Sequence, residues 1–244
     1  MALTDNLVAY YSLEDTSDAT GNGNTLTNSG STTFTTGHVG NAADFGTTNT
    51  SKGLYIDSND AVIGYTQYGT AWTIQTWIYL QGAGTRTMQG VQVQSGSNQR
   101  RNHQLYCDSS NGLRINFFGN SGFDISTGFT ITTATWTHII MSYNGTRFQV
   151  VVNDGTPFTS TRSVAPSSTA SLGGFSIGNT RQGGVWGGNW FESKVDEVGV
   201  WQREITAAEI TELYNAGAGL SYADITGGSG GYRFVPQLKP FGGL

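Results

Sequence analysis

The acidic side chains that could hydrolyse a glycosidic bond lack the spacing for that chemistry. A retaining glycosidase needs two carboxyl groups about 5–5.5 Å apart, one as nucleophile and one as acid. On a β-strand these come from alternating residues, because successive side chains point to opposite faces. The acidic pair Asp196 and Glu197 is adjacent in the sequence, so its side chains would point to opposite faces. We also find no nucleophile, phosphate-loop or dinucleotide motif. The sequence therefore predicts a protein that is not an enzyme and has no catalytic residues.

Aromatic rings on loops are the candidate groups for binding sugar. Residues 181–191 (RQGGVWGGNWF) form a glycine-rich loop that carries Trp186 and Trp190. Flat aromatic faces can stack on the C–H faces of a sugar, while neighbouring polar side chains bond its hydroxyls. Because tryptophan is usually at least half buried, the alternative for Trp190 is a core position. The candidate ligand-binding residues are Trp186, Trp190, Arg181 and Asn189, with Tyr65 and Tyr68 on a second loop.

Short strands with frequent turns must position these groups. Apolar residues alternate with period two along residues 72–80, as in a half-buried strand. Asn144-Gly145 and Asp154-Gly155 separate apolar runs between residues 136 and 158, and these dipeptides favour hairpin turns. About a dozen such strands predict an antiparallel sandwich rather than a parallel α/β fold.

One short helix is predicted near the C-terminal end of this β domain. Thr206 fits the N-cap, and Glu209, three residues later, completes a capping box. Ile205 and Ile210 can form a hydrophobic staple around that cap. Gly217 supplies a left-handed position of the kind that ends a helix. We expect the helix near residues 207–216.

Residues 190–222 (WFESKVDEVGVWQREITAAEITELYNAGAGLSY) comprise one predicted strand, a tight connection and this helix. This segment resembles the closing segment of the LamG-like jelly roll, a branch of the concanavalin A-like lectin/glucanase superfamily. Earlier segments of the chain are similar to other strands and loops of LamG-like domains, and they occur in the same order along the sequence. They are LVAYYSL at 7–13, GHVGNAADF at 37–45, GLYID at 53–57, WTIQTWIYL at 72–80 and WTHIIMSYNGTRFQVVVND at 136–154.

The resemblance implies an all-β fold: a two-sheet antiparallel jelly-roll sandwich with one short C-terminal helix, formed by residues 1–222 as a single domain. It also implies a structural role for His138, because the family pattern has a histidine there. It does not specify a function, because one fold hosts many functions.

Many domains of this kind hold one structural calcium ion near the start and end of the chain, away from the ligand surface. Calcium takes six to eight hard oxygen ligands, which loops rich in carboxylates and carbonyls supply. The alternative is that Asp196 caps a strand or pairs with Lys194 or Arg203. The resemblance implies a ligand set of Asp196 through its side chain and backbone carbonyls near Glu14 and Gly46, with Asp15 and Asp18 as alternatives.

The composition excludes several classes of partner. The 244-residue chain has a formal net charge of −5 and 12% charged residues, about half the usual share of roughly 25%. A nucleic-acid surface needs clustered Lys and Arg, so we expect no nucleic-acid partner. Cys107 is the only cysteine, which excludes an intrachain disulfide. No run approaches the ~18 apolar residues of a membrane span. Residues 1–6 show no Sec signal.

The composition changes after Tyr222. Residues 223–231, which end in GGSGG, are typical of a flexible Gly/Ser linker. Residues 232–244 (YRFVPQLKPFGGL) carry apolar side chains around two prolines and are too few to bury them alone. This tail is either a disordered end or a peptide that docks on a partner, and we favour docking. Its expected apolar anchors are Tyr232, Phe234, Leu238 and Phe241.

Two functions fit these features. The first is a non-catalytic lectin-like module that binds a host-surface glycan. The second is a purely structural component of a larger assembly. Both suit a phage decoration, fibre or tail protein on a virion or extracellular surface, with other virion proteins or a second copy of the chain as partners. We favour the lectin-like module and disfavour a glycoside hydrolase, because paired carboxylates are lacking.

Overall fold

The structure is a computed structural model of the whole chain. It describes residues 1–47, 52–56, 71–82, 86–95, 98–116, 124–161, 171–179, 181–182, 185–186 and 191–227. Its strands are β1 Leu7–Tyr11, β2 Thr27–Ser29, β3 Thr33–Thr36, β4 Asn41–Asp44, β5 Gly53–Ile56, β6 Trp72–Leu80, β7 Arg86–Ser95, β8 Asn98–Cys107, β9 Gly112–Asn116, β10 Asp124–Thr130, β11 Trp136–Tyr143, β12 Phe148–Val152, β13 Phe158–Ser160, β14 Ser171–Ile177, β15 Arg181–Gln182, β16 Val185–Trp186 and β17 Ser193–Trp201.

These strands form two large antiparallel sheets. The eight-stranded sheet has the order β13-β12-β11-β6-β17-β4-β3, and β1 also pairs with β17. The seven-stranded sheet has the order β10-β9-β8-β7-β14-β5-β2, and β15 pairs with β16 in a small separate ribbon. Hairpin-connected strands such as β7 and β8 lie beside strands that are distant in sequence, such as β7 and β14 or β6 and β17, as the crossover connections of a jelly roll require. The predicted all-β jelly-roll sandwich is confirmed.

The main core lies between the two sheets. The eight-stranded sheet contributes Trp72, Ile74 and Ile78 from β6, and the seven-stranded sheet contributes Leu105 and Phe175, all nearly or fully buried. The period-two alternation predicted along residues 72–80 therefore places one set of side chains inside the sandwich. The other set faces outward from the eight-stranded sheet.

Helix α1, Ala207–Tyr214, begins as the sequence predicts. The Thr206 hydroxyl accepts a hydrogen bond from the Glu209 N–H at 3.3 Å, and the Glu209 carboxylate accepts one from the Thr206 N–H at 2.7 Å. The helix ends earlier than expected, because Asn215 takes the left-handed conformation (φ 48°) before Gly217 does. Asparagine tolerates that conformation better than most residues.

A second short helix, α2 at Tyr222–Thr226, follows α1. It carries its own capping box, from Ser221 and Asp224, and its five residues are too few to give a periodic pattern. Ile225 lies in a second apolar cluster with Ile210 and Leu213 of α1. This cluster packs on the outward face of the eight-stranded sheet through Ile140, Val151 and Trp201.

The domain boundary predicted at residue 222 falls inside α2, which packs on the domain through Ile225, so residues 223–226 are helix and not linker. The tail at residues 232–244 lies outside the described residues. In the part of the chain that the structure describes, no helix has the length and apolar character of a membrane span.

Candidate functional site

A row of outward side chains crosses the half of the eight-stranded sheet that lies beyond the helices. Trp136 on β11 is paired with Tyr79 on β6, and Tyr79 is paired with Lys194 on β17. Lys194 is in turn paired with Asp44 on β4. Their neighbours Ile78 and Val195 belong to the inner core. Because successive side chains alternate, the row itself faces outward.

A cavity of about 400 Å³ opens along this row. We call it the cross-strand groove. The rings of Trp136 and Tyr79 lie 5.4 Å apart between centroids and are inclined by 51°. Both residues are half buried, so their rings are held in place while part of each face stays accessible. The residues that line the groove are Thr36, Gly37, Tyr79, Gln81, Trp136 and Lys194.

Polar groups flank the aromatic pair. The Lys194 ammonium donates a hydrogen bond to the Thr36 carbonyl at 3.0 Å and lies 3.9 Å from the Asp44 carboxylate. Gln81 Oε1 is buried and has no hydrogen-bond partner among the described residues. A buried amide oxygen without a partner carries a desolvation cost, so a hydroxyl group that reached it would be stabilised.

His38 packs beside the groove. Its ring stacks on Trp77 at 3.9 Å and lies 5.6 Å from the ring of Trp136. Burial lowers the pKa of His38, although its hydrogen bond with the Gly217 carbonyl acts in the opposite sense. The imidazole is therefore neutral near pH 7. This stack fixes the position of the Trp136 ring and adds no positive charge to the groove.

His138 lies on the far side of Trp77, with 4.9 Å between their ring centroids. It is fully buried, and burial lowers its pKa to about 3, with a smaller contribution from His38. His138 Nε2 lies 3.3 Å from Gln75 Oε1. The residue thus belongs to the packed layer beneath the helices and not to the groove.

Two of the acidic side chains considered for calcium lie against the loop that follows β3. Asp196 is fully buried, and its carboxylate accepts hydrogen bonds from the backbone N–H groups of His38 at 2.8 Å and Val39 at 3.0 Å. Glu14 accepts hydrogen bonds from the backbone and side-chain nitrogens of Asn41 at 2.9 and 2.7 Å. One loop therefore links the first strand region to the final strand through two carboxylates.

Carboxylate oxygens are of the type that a hard cation prefers, but those of Asp196 and Glu14 already accept N–H donors. The pKa of Asp196 is raised to about 7, mainly by burial and less by the charge of Glu14, while its backbone hydrogen bonds act in the opposite sense. Positive charge would stabilise such a carboxylate. Among the described residues no cluster of three or more His, Cys, Asp or Glu side chains could hold a metal. Backbone carbonyls would have to supply most ligands. Calcium at Asp196 and Glu14 stays a prediction.

The other residues considered for calcium make local contacts. Asp15 accepts a hydrogen bond from the Ser17 N–H at 2.7 Å, which closes a turn in the first loop. Gly46 follows β4 in a left-handed conformation (φ 85°) and donates its N–H to Asp44 at 2.8 Å. Asp18 accepts hydrogen bonds from the backbone of Tyr10 and Asn24. Its carboxylate thus organises the first loop.

Glu197 lies beside Asp196 in a β-bulge of β17, with a left-handed backbone (φ 47°). The side chain is 1% exposed, and burial raises its pKa to about 9, although a hydrogen bond with Tyr10 acts against this. Glu197 Oε2 has no hydrogen-bond partner within the described parts of the chain. Neither member of this acidic pair is accessible to an incoming polymer.

The ligand-binding residues expected from the sequence are described only in part. The backbones of Arg181 and Trp186 pair with each other in the β15–β16 ribbon. Tyr65, Tyr68, Asn189 and Trp190 lie outside the described residues. Ligand binding by these six residues stays a prediction.

Sequence reasoning missed the groove residues. The available signal was an aromatic side chain at an outward position of each of two strands, Tyr79 and Trp136. Alternation alone could have placed these two rings on a solvent-facing surface. Their proximity to each other and to Lys194 depends on strand register.

Comparisons with known proteins agree with this architecture. A family model described as the concanavalin A-like lectin/glucanases superfamily matches residues 49–211, which confirms the family expected from the sequence. No curated protein sequence matches the chain.

Several solved structures share the fold. Domain 4 of AbnA, a GH43 extracellular arabinanase from Geobacillus stearothermophilus in complex with arabinotriose, is 21% identical with a TM-score of 0.64, over 85% of this chain and 97% of that chain. Trypanosoma rangeli sialidase in complex with sialic acid is 15% identical with a TM-score of 0.67, over 88% of this chain and 34% of that chain. The binding domain of botulinum neurotoxin DC in complex with SialylT is 12% identical with a TM-score of 0.64, over 87% and 52% of the two chains. At these identities the likeness establishes the fold alone.

Proposed function

Because the chain belongs to the concanavalin A-like lectin/glucanase superfamily, we propose that it is a non-catalytic, lectin-like module that binds glycan. The observation that carries this proposal is the cross-strand groove, in which two half-buried aromatic rings stand beside a lysine and a glutamine side chain. Sugar sites combine an apolar platform with a few placed polar groups in this way. Two structural relatives that are in complex with sugars, arabinotriose and sialic acid, support the same class of ligand.

A glycan array with wild-type protein and two variants tests the proposal. We expect Trp136→Ala to lower binding at least about tenfold, because it removes a central aromatic contact. Tyr106→Ala is the matched control, since Tyr106 is a half-buried, outward-facing aromatic residue on the opposite sheet. Thermal unfolding of each variant checks that it is folded. An array on which the wild-type protein binds nothing would reject glycan binding and favour the purely structural role.

The non-catalytic part of the proposal is supported by the burial of Asp196 and Glu197, which are 0% and 1% exposed. A carboxyl pair that hydrolyses a polysaccharide must contact the scissile bond. We expect no release of reducing ends from β-glucans, arabinan or peptidoglycan. Reproducible release that one Glu→Gln change abolishes would contradict this expectation.

We further propose that the module is displayed on a virion or another extracellular surface and is anchored by residues 232–244. The support is the composition of that segment, in which Tyr232, Phe234, Leu238 and Phe241 follow a flexible GGSGG run. Prolines favour an extended backbone and lower the cost of ordering the segment on a partner. Truncation after Gly231 should preserve the unfolding curve but abolish incorporation into the parent assembly. Normal occupancy by the truncated protein would reject the anchor.

A further inference from the structure

We propose that the cross-strand groove binds an internal stretch of a neutral, extended oligosaccharide that lies across the strands. The inference rests on the proposed glycan-binding function and adds the charge, shape and direction of the ligand. Three features of the groove support it: its run across neighbouring strands, the inclination of its two aromatic rings and its balance of charge.

The direction follows from strand register. Trp136, Tyr79 and Lys194 stand side by side on β11, β6 and β17. Neighbouring strands lie about 4.8 Å apart, so these three positions span roughly 10 Å across the sheet. The Thr36 carbonyl, bonded to the Lys194 ammonium, continues the groove at the end of β3. A single sugar ring covers only part of this length, whereas a chain of two to three rings contacts all of it.

The aromatic pair favours a chain whose successive rings turn relative to each other. The Trp136 and Tyr79 rings are inclined by 51° and are 5.4 Å apart between centroids. One flat sugar face cannot stack fully on both rings, but two linked sugars can each contact one. The His38 ring, which contacts Trp136 and stacks on Trp77, holds this geometry before the ligand arrives. Preorganisation of this kind lowers the entropic cost of binding.

The charge balance disfavours an acidic sugar. The Lys194 ammonium already donates to the Thr36 carbonyl and lies beside the Asp44 carboxylate. Gln81, which also lines the groove, is uncharged and offers no positive charge to a carboxylate. The neutral His38 adds no positive charge. Among the described lining residues, therefore, the one cation is Lys194, and Asp44 already offsets its charge.

Calorimetric titration with defined oligosaccharides tests this proposal. The neutral probes are gluco-, galacto-, manno- and arabino-oligosaccharides of one to five rings, and the acidic probes are oligogalacturonates of matched length and sialyllactose. We expect the affinity for at least one neutral series to rise from one ring to about three rings and then level off. The matched acidic series should bind at least about tenfold more weakly.

Variants assign the effect to the groove. Trp136→Phe and Tyr79→Ala should each weaken neutral binding several-fold, while Tyr106→Ala on the other sheet leaves it unchanged. Asp44→Asn removes the carboxylate that offsets the Lys194 charge. The ratio of the affinity for neutral chains to that for acidic chains should therefore decrease. The Trp136→Phe variant keeps an aromatic ring, so it separates a weakened ligand contact from a loss of folding.

The possible outcomes distinguish a failure of the neutral-chain proposal from a failure of the glycan-binding function. Binding of acidic chains alone, sensitive to Trp136→Phe, would preserve glycan binding and overturn the neutral-chain proposal. Equal affinity for monosaccharides and trisaccharides would overturn the extended geometry. Neutral binding that neither Trp136→Phe nor Tyr79→Ala changes would move the site away from the groove. An absence of binding across the whole panel would reject both this proposal and the glycan-binding function.

Discussion

Glu209 connects the start of α1 to the N-terminal segment through Arg203. The guanidinium donates two hydrogen bonds to the Glu209 carboxylate, at 2.8 and 2.7 Å. The same carboxylate accepts the Thr206 N–H at 2.7 Å. Arg203 also donates to the backbone carbonyls of Asp5 at 2.8 Å and Ala2 at 3.0 Å. One buried ion pair thus joins the helix cap to the first residues of the chain.

We predict that Glu209→Gln strongly destabilises the protein. The amide has nearly the shape of the carboxylate, but it leaves the Arg203 charge buried without a counterion. The two side chains are only 9% and 5% exposed, so solvent screening weakens the pair little. Breaking a buried pair in this way costs about 3–5 kcal/mol. For a domain of this size the loss should lower Tm by on the order of 10 °C.

The destabilisation caused by Glu209→Gln should depend on pH. Burial alone would raise the pKa of Glu209, but the hydrogen bonds from Arg203 and Thr206 outweigh it and lower the pKa overall. A carboxyl group whose pKa is lowered on folding adds stability above its unfolded pKa and loses it as pH falls through the folded pKa. The difference between wild type and Glu209→Gln should therefore be complete at pH 7 and shrink in acid.

Urea unfolding followed by tryptophan fluorescence measures the change. Glu212→Gln is the matched control, because Glu212 is an exposed residue of the same helix. We expect the control to stay within about 0.5 kcal/mol of wild type. If Glu209→Gln destabilises the protein by no more than Glu212→Gln does at pH 7, the buried pair does not hold the cap as described. A difference that persists undiminished at pH 3 would show that shape, and not charge, is responsible.

A buried histidine, a close-packed glycine and a candidate metal ligand should each affect the stability of the fold. Burial lowers the pKa of His138 to about 3, so below about pH 6.5 the unfolded state binds a proton that the folded state does not. The free energy of unfolding should therefore fall as the pH drops from about 6.5 towards 3, by at most about 1.4 kcal/mol per pH unit. A pH dependence over that interval that is the same in His138→Gln would contradict this. Gly178→Ala should lower the free energy of unfolding in urea more than Gly128→Ala does. Both glycines have positive φ, but only at Gly178 would a new Cβ collide with the Phe45 ring. Equal losses of stability would show that the positive φ, and not the contact with Phe45, causes the destabilisation. If calcium is bound at Asp196, EDTA should lower the Tm of the wild-type protein but not that of Asp196→Asn, because an ion that binds only the folded state stabilises it. A wild-type unfolding curve that EDTA does not change would reject the calcium site.

The start of α1 could be predicted from sequence because its determinants are local. Thr206 and Glu209 are three residues apart and bond each other directly, so the capping box does not depend on the rest of the fold. The strand at Trp72–Leu80 was predictable for a similar reason, since alternation is a property of one segment. The order of such segments along the chain was enough to indicate the family.

The groove was not predictable in that way, because its members are far apart in sequence. Tyr79 and Trp136 become neighbours only when β6 and β11 pair in one specific register, and Lys194 joins them only through β17. A shift of one residue in either pairing would turn one of these side chains towards the other face. The sequence by itself determined the strands, the cap and the family. Only the tertiary structure decided which outward residues meet, because register is set by packing of the whole sandwich.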